Sequence, residues 1–180
     1  MIVLREVVAY LEDRGVRYAL IGGVALAMHG IARATLDSDL LVVDRVVLDP
    51  AFWGDWKADQ APDIQRGDAD DPLAGVVRLR RDEEAVDVIV GRHAWEANAL
   101  ERRIPVTVED HPLFVVDTAD LIVLKLAAGG PQDVLDIRLL LAAQGEKLRG
   151  QVQSRLSQVS QALRDAWKTL LRADAAPTPS

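Results

Sequence analysis

The sequence predicts an α/β (α+β) fold, a mixed β-sheet with flanking helices, followed by a helical C-terminal region. Three observations carry this. Short apolar runs of strand length alternate with segments of helical spacing over the first 116 residues. Two of those runs flank Asp82-Glu83 as the arms of a hairpin would. Beyond Val116 the pattern is predominantly helical. The expected divisions are 1–116 for the sheet-bearing core and 117–172 for the helical region. A tail, 173–180 (ADAAPTPS), has too few large apolar residues to order.

Each element follows from a local signal. Residues 1–14 place Val3, Val7, Val8 and Leu11 at helical spacing, and Gly15 ends the helix. Residues 16–21 read as a strand, Gly22-Gly23 as a turn, and 24–29 as a short helix closed by Gly30. The run SDLLVVD, 38–44, opens on carboxylates and continues as a buried strand. Residues 55–75 are rich in Asp, Pro and Gly and read as loop. Strands 76–80 and 85–90 form the hairpin, and 93–102 is helical. Either 104–108 or 113–116 adds an edge strand. Helices are expected over 118–128, 132–143 and 152–171. In the last, Val152, Leu156, Val159, Leu163, Trp167 and Leu170 mark one buried stripe, opposite Arg164, Lys168 and Arg172.

Composition narrows the function classes. The chain has no cysteine, which removes disulfides and thiolate chemistry. His29, His93 and His111 are too widely spaced for a structural zinc site. No apolar run approaches the roughly 20 residues of a membrane span, so no membrane partner is expected. The apolar stretch near Met1 is interrupted by Arg5, Glu12 and Asp13, unlike a secretory signal, and a cytoplasmic location is expected. The net charge of −7 is concentrated: residues 37–71 hold ten Asp against Arg45, Lys57 and Arg66. Residues 145–172 are basic, with six Lys and Arg against Glu146 and Asp165. Such a chain does not coat nucleic acid over a whole face. Local acidity beside a strand suits a cation, and the basic helix suits phosphates.

The chemistry gathers between Gly22 and Val42, in GGVALAMHGIARATLDSDLLV. Two glycines between a strand and a helix let the backbone approach a bulky anion. Asp37 and Asp39, two apart on a strand, point to the same face. Carboxylates so close repel one another unless a divalent cation shares them, and Mg²⁺ suits carboxylates combined with substrate phosphates. Asp87, in EAVDVIV, is a candidate third carboxylate that would complete the metal site or deprotonate a hydroxyl. Together these are the parts of a phosphoryl-transfer site.

Gly22-Gly23 followed by Arg33-x-Thr35-x-Asp37-x-Asp39-Leu-Leu resembles the signature of the polymerase-β-like nucleotidyltransferase superfamily. It is most similar to the minimal, AbiE-type (MenT-like) toxin branch, as is LIVLKLAAGGPQDVLDIRLLL at 121–141. The resemblance implies a nucleotidyltransferase fold and a Mg²⁺- or Mn²⁺-dependent transferase. Such an enzyme binds an NTP, ATP among them, and moves its nucleoside monophosphate to an acceptor hydroxyl. It also implies roles: Asp37, Asp39 and Asp87 hold metal, Gly22 and Gly23 embrace the triphosphate, and Lys125 neutralises phosphate charge. Arg33 and Thr35 would orient the metal loop or the nucleotide, and Asp133 or Asp136 would order the site. An RNA or tRNA 3′ end and a protein side chain are the implied acceptors, with a cognate antitoxin as partner if the protein is the toxin of a toxin–antitoxin pair. The alternative is a non-catalytic nucleotide- or partner-binding domain on the same fold.

Overall fold

The computed structural model describes residues 2–32, 37–57, 60–108 and 110–175. The chain divides into two units, Met1–Asp117 and Thr118–Ser180. The first begins with helix α1 (Ile2–Asp13), whose Val3, Leu4, Val7, Val8 and Leu11 are buried on one stripe. Gly15, at φ +70°, then turns the chain, a conformation that costs other residues a steric penalty. Strand β1 (Ala19–Ile21) leads directly into α2 (Gly22–Met28). The two glycines expected as a turn are thus the first residues of this helix.

Strands β2 (Asp37–Val42), β3 (Asp63–Arg66), β4 (Gly75–Arg81) and β5 (Glu84–Val90) follow. Helix α3 (Ala94–Glu101) and the strands β6 (Ile104–Val108) and β7 (His111–Val115) complete the unit. All seven strands lie in one sheet, in the order β3-β4-β5-β2-β1-β7-β6. The β2/β5 and β1/β7 pairs are parallel and the others antiparallel. The sheet is mixed and flanked by helices, as the sequence predicts.

Two local differences have physical reasons. The loop expected at 55–75 contains the exposed edge strand β3, whose DIQR shows no apolar alternation and pairs through its backbone with β4. Upstream of it, two 3₁₀ turns (Arg45–Leu48 and Pro50–Trp53) are capped by the side chains of Asp44 and Asp49. Their Phe52 and Trp53, with Trp56, gather around Tyr10 of α1. Both candidate edge strands exist, since β7 pairs with β1 and carries β6 outside it.

In α3, the carboxylate of Glu96, 2% exposed, accepts the backbone N–H groups of Arg92 and His93 at 2.6 Å each. Burial pushes this carboxyl above the usual glutamate range, and those two hydrogen bonds oppose the shift. A carboxyl raised by folding holds its proton more tightly in the folded state. Its contribution therefore falls as pH rises from about 4.5 through the raised value. Glu96→Gln keeps an acceptor for both N–H groups, so its unfolding free energy should fall less than wild type over that window. Denaturant titrations at several pH values measure the two slopes.

The second unit comprises α4 (Thr118–Ala128), α5 (Pro131–Arg155) and α6 (Gln161–Ala175). Gly145, at φ 67° and ψ −153°, breaks α5 internally. The stripe expected on one helix is shared: Val152 lies on α5, Leu156 and Val159 on the connection, and Trp167 and Leu170 on α6. All five are buried, whereas Leu163, expected on the same stripe, is half-buried. Ala173–Ala175 belong to α6 rather than to a tail, and 176–180 lie outside the described residues. No helix among the described residues is long and apolar enough to cross a membrane.

Candidate active site

The sheet register assembles the candidate site. Asp39 stands opposite Asp87 in the parallel β2/β5 pair, and Asp87 stands opposite Arg78 in the antiparallel β4/β5 pair. Directly paired residues point to the same side of a sheet, and so do residues two apart on a strand. Asp37, Asp39, Asp87 and Arg78 therefore share one face. The residues between them, Leu40, Val77, Leu79, Val86 and Val88, are at most 1% exposed and form the core on the other face. This alternation is what forces the carboxylates outward.

Gly22 closes the site from the neighbouring strand. Ile21 pairs with Asp39, and the Asp39 carboxylate lies directly over Gly22. A Cβ at Gly22 would overlap Asp39 Oδ2 and stand 2.9 Å from its Cγ, and φ is +63° there. Both facts demand glycine. Gly22→Ala should cost about 1–3 kcal/mol in stability from the backbone strain alone. It should also push the Asp39 carboxylate out of place, so any transfer activity should fall further than a stability loss explains. Thermal melting and turnover of the soluble protein check the two effects separately. Gly23 is buried within the first turn of α2.

Arg78 is the site residue that sequence reading did not single out. Its Nε lies 2.8 Å from Asp87 Oδ1 and its Nη2 lies 3.4 Å from Asp37 Oδ2. The contact with Asp87 is a close ion pair. Burial pushes the Asp87 carboxyl above the usual aspartate range, Arg78 pulls it back down, and the Asp37 charge raises it again. Arg80, exposed, lies two residues further along the same face. The signal was available: a two-residue turn at Asp82-Glu83 pairs Arg81 with Glu84, and counting back sets Arg78 against Asp87.

The donor set suits a hard divalent cation, because it offers carboxylate oxygens from adjacent strands and no nitrogen or sulfur ligand. Among the described residues, no three His, Cys, Asp or Glu side chains are drawn together as a ready metal cluster. Asp37 and Asp87 turn to Arg78, and Asp39 lies against Gly22.

The other candidates lie in the second unit. Lys125, on α4, is 6% exposed, with Nζ 3.1 Å from Asp133 Oδ1 and 2.7 Å from Asp136 Oδ2. Asp133 also accepts the Gly130 N–H at the start of α5, and Gln132 donates to Asp136 Oδ1. This is a buried, hydrogen-bonded charge cluster joining α4 to α5. On α6, Arg164 donates to the Val159 carbonyl at 2.6 Å and Lys168 pairs with Asp165 at 3.1 Å. Arg33 and Thr35 lie outside the described residues.

No protein-family model matches this chain, and no curated protein matches it. Solved structures do. The antibiotic-resistance factor ANT(2″)-Ia aligns over 96% of this chain and 95% of its own, at 14% identity and a TM-score of 0.59. Its complex with adenylyl-2″-tobramycin aligns over 88% and 97%, at 15% identity and a TM-score of 0.58. A Thermotoga maritima protein provisionally classed as a nucleotidyltransferase aligns over 79% and 92%, at 13% identity and a TM-score of 0.54. At these identities the likeness concerns architecture, and it shows that the chain has the nucleotidyltransferase fold.

Proposed function

We propose that the protein is a Mg²⁺-dependent nucleotidyltransferase that moves a nucleoside monophosphate from an NTP to an acceptor hydroxyl and releases pyrophosphate. The observation that carries this is the register of Asp37, Asp39 and Asp87 on one sheet face, with Gly22 pressed against Asp39. Asp37, Asp39 and Asp87 are the residues to hold the cation, which when bound would neutralise phosphate charge and polarise the α-phosphoryl group. The acceptor oxygen forms a bond to the α-phosphorus as the bond to pyrophosphate breaks. Asp87 either completes that metal set or, with its proton affinity raised by burial, takes the acceptor's proton. Gly22 and Gly23 present backbone without side chains where phosphates would approach. Lys125 serves the second unit first as the partner of Asp133 and Asp136, and a phosphate role would require it to leave them.

ANT(2″)-Ia was solved with an adenylylated aminoglycoside, so a small-molecule hydroxyl joins RNA and protein as an acceptor class to test. The basic face of α6 is a weaker argument for RNA than its sequence suggests, since Arg164 and Lys168 are engaged locally. One structural fact favours the non-catalytic alternative, namely the Arg78 guanidinium held between Asp37 and Asp87. Incubating the protein with each labelled NTP and Mg²⁺ in the presence of total RNA, protein extract or aminoglycosides separates the readings. Label transfer with pyrophosphate release is expected. NTP binding without either would make this a binding domain. Growth arrest on expression, relieved by a neighbouring gene product, would support the toxin role.

A further inference from the structure

We infer that Arg78 is a built-in counter-ion that competes with the divalent cation for Asp37 and Asp87, and so keeps the metal site weak until nucleotide arrives. The inference rests on the nucleotidyltransferase reading of the same carboxylates. Three aspartates on adjacent strands, unscreened, would repel one another strongly. Arg78 lies directly opposite Asp87 in the register, which fixes its Cα at the site whatever its side chain does. Its fork spans two of the three carboxylates, 2.8 Å from Asp87 and 3.4 Å from Asp37. The side chain is also one third exposed, which leaves it room to turn into solvent. A cation entering between Asp37 and Asp87 must displace that guanidinium. The phosphates of an NTP would ease the exchange by adding oxygen ligands to the metal and negative charge for the released arginine.

Arg78 acts here as a positioning residue, through the carboxylates. The test is Mn²⁺ alone, without nucleotide, titrated by electron paramagnetic resonance into wild type, Arg78→Met, Arg78→Lys and Asp37→Asn. Arg78→Met should bind Mn²⁺ about tenfold more tightly than wild type, the scale on which one close charge shifts a carboxylate equilibrium. Adding Asp37→Asn to it should remove the gain. In chelator the same variant should melt below wild type, because the carboxylates lose their screen, and Mn²⁺ should raise its melting temperature by more. Arg78→Lys keeps the charge but cannot span both carboxylates, so its affinity should rise by a smaller factor. That variant decides the matter if the methionine protein does not fold. Unchanged or weaker Mn²⁺ binding in the Arg78 variants, with wild-type binding still sensitive to Asp37→Asn, overturns the counter-ion role and leaves the metal site standing. Mn²⁺ binding indifferent to Asp37→Asn in every protein overturns the metal site, and this inference falls with it.

Discussion

Asp39→Ala should reduce nucleotidyl transfer by at least about a thousandfold while leaving the fold intact, because it removes a carboxylate that the cation needs and touches no core contact. Asp39 lies opposite Asp87 and against Gly22. The stability change should be small, about 1 kcal/mol or less, since the loss of one of three neighbouring negative charges offsets the loss of its own contacts. Transfer measured with the preferred NTP, alongside a thermal melt in chelator, gives both numbers. Wild-type transfer by Asp39→Ala would remove the metal-site reading altogether.

The second large effect is on stability. Lys125→Met should cost about 3–5 kcal/mol, because it strands the buried Asp136 carboxylate without its cation. Asp136 is 1% exposed and would keep the Gln132 amide but no opposing ammonium from Lys125. Replacing both partners, Lys125→Met with Asp136→Leu, should recover much of the loss, since an apolar pair carries no desolvation penalty. Chemical denaturation of the single and double variants measures this. A single-variant cost below about 1 kcal/mol would mean that the pair is far better solvated than its burial indicates. The double variant also isolates any phosphate role of Lys125. If NTP affinity recovers with the fold, the lysine is structural. If it stays low, the ammonium also meets the nucleotide.

Much of the fold was legible because its elements carry strong periodicity. The stripe of α1 and the β4/β5 hairpin follow directly from apolar spacing. The strand β3 was not legible, because DIQR owes its state to backbone pairing with β4 rather than to any pattern of its own. The division between α5 and α6 was hidden for a different reason. The apolar stripe continues with helical spacing through Leu156 and Val159, while the chain itself turns at that point. In the candidate site, the common sheet face of Asp37, Asp39 and Asp87 was readable from strand alternation. Arg78 was missed because a charged residue on a strand has no intrinsic signature. Its meaning comes from pairing with Asp87, which the hairpin turn at Asp82-Glu83 sets once the register is counted back.

The register that joins β2 to β5 has one more consequence. A slip of β5 by a single residue would send Asp87 into the apolar layer and bring Val86 or Val88 out to the solvent. Such a molecule could keep its helices, its compactness and much of its spectroscopic signal. It could not keep three carboxylates on one side. Specific activity per folded molecule would then be an audit of strand alignment after refolding, sensitive to errors that circular dichroism overlooks.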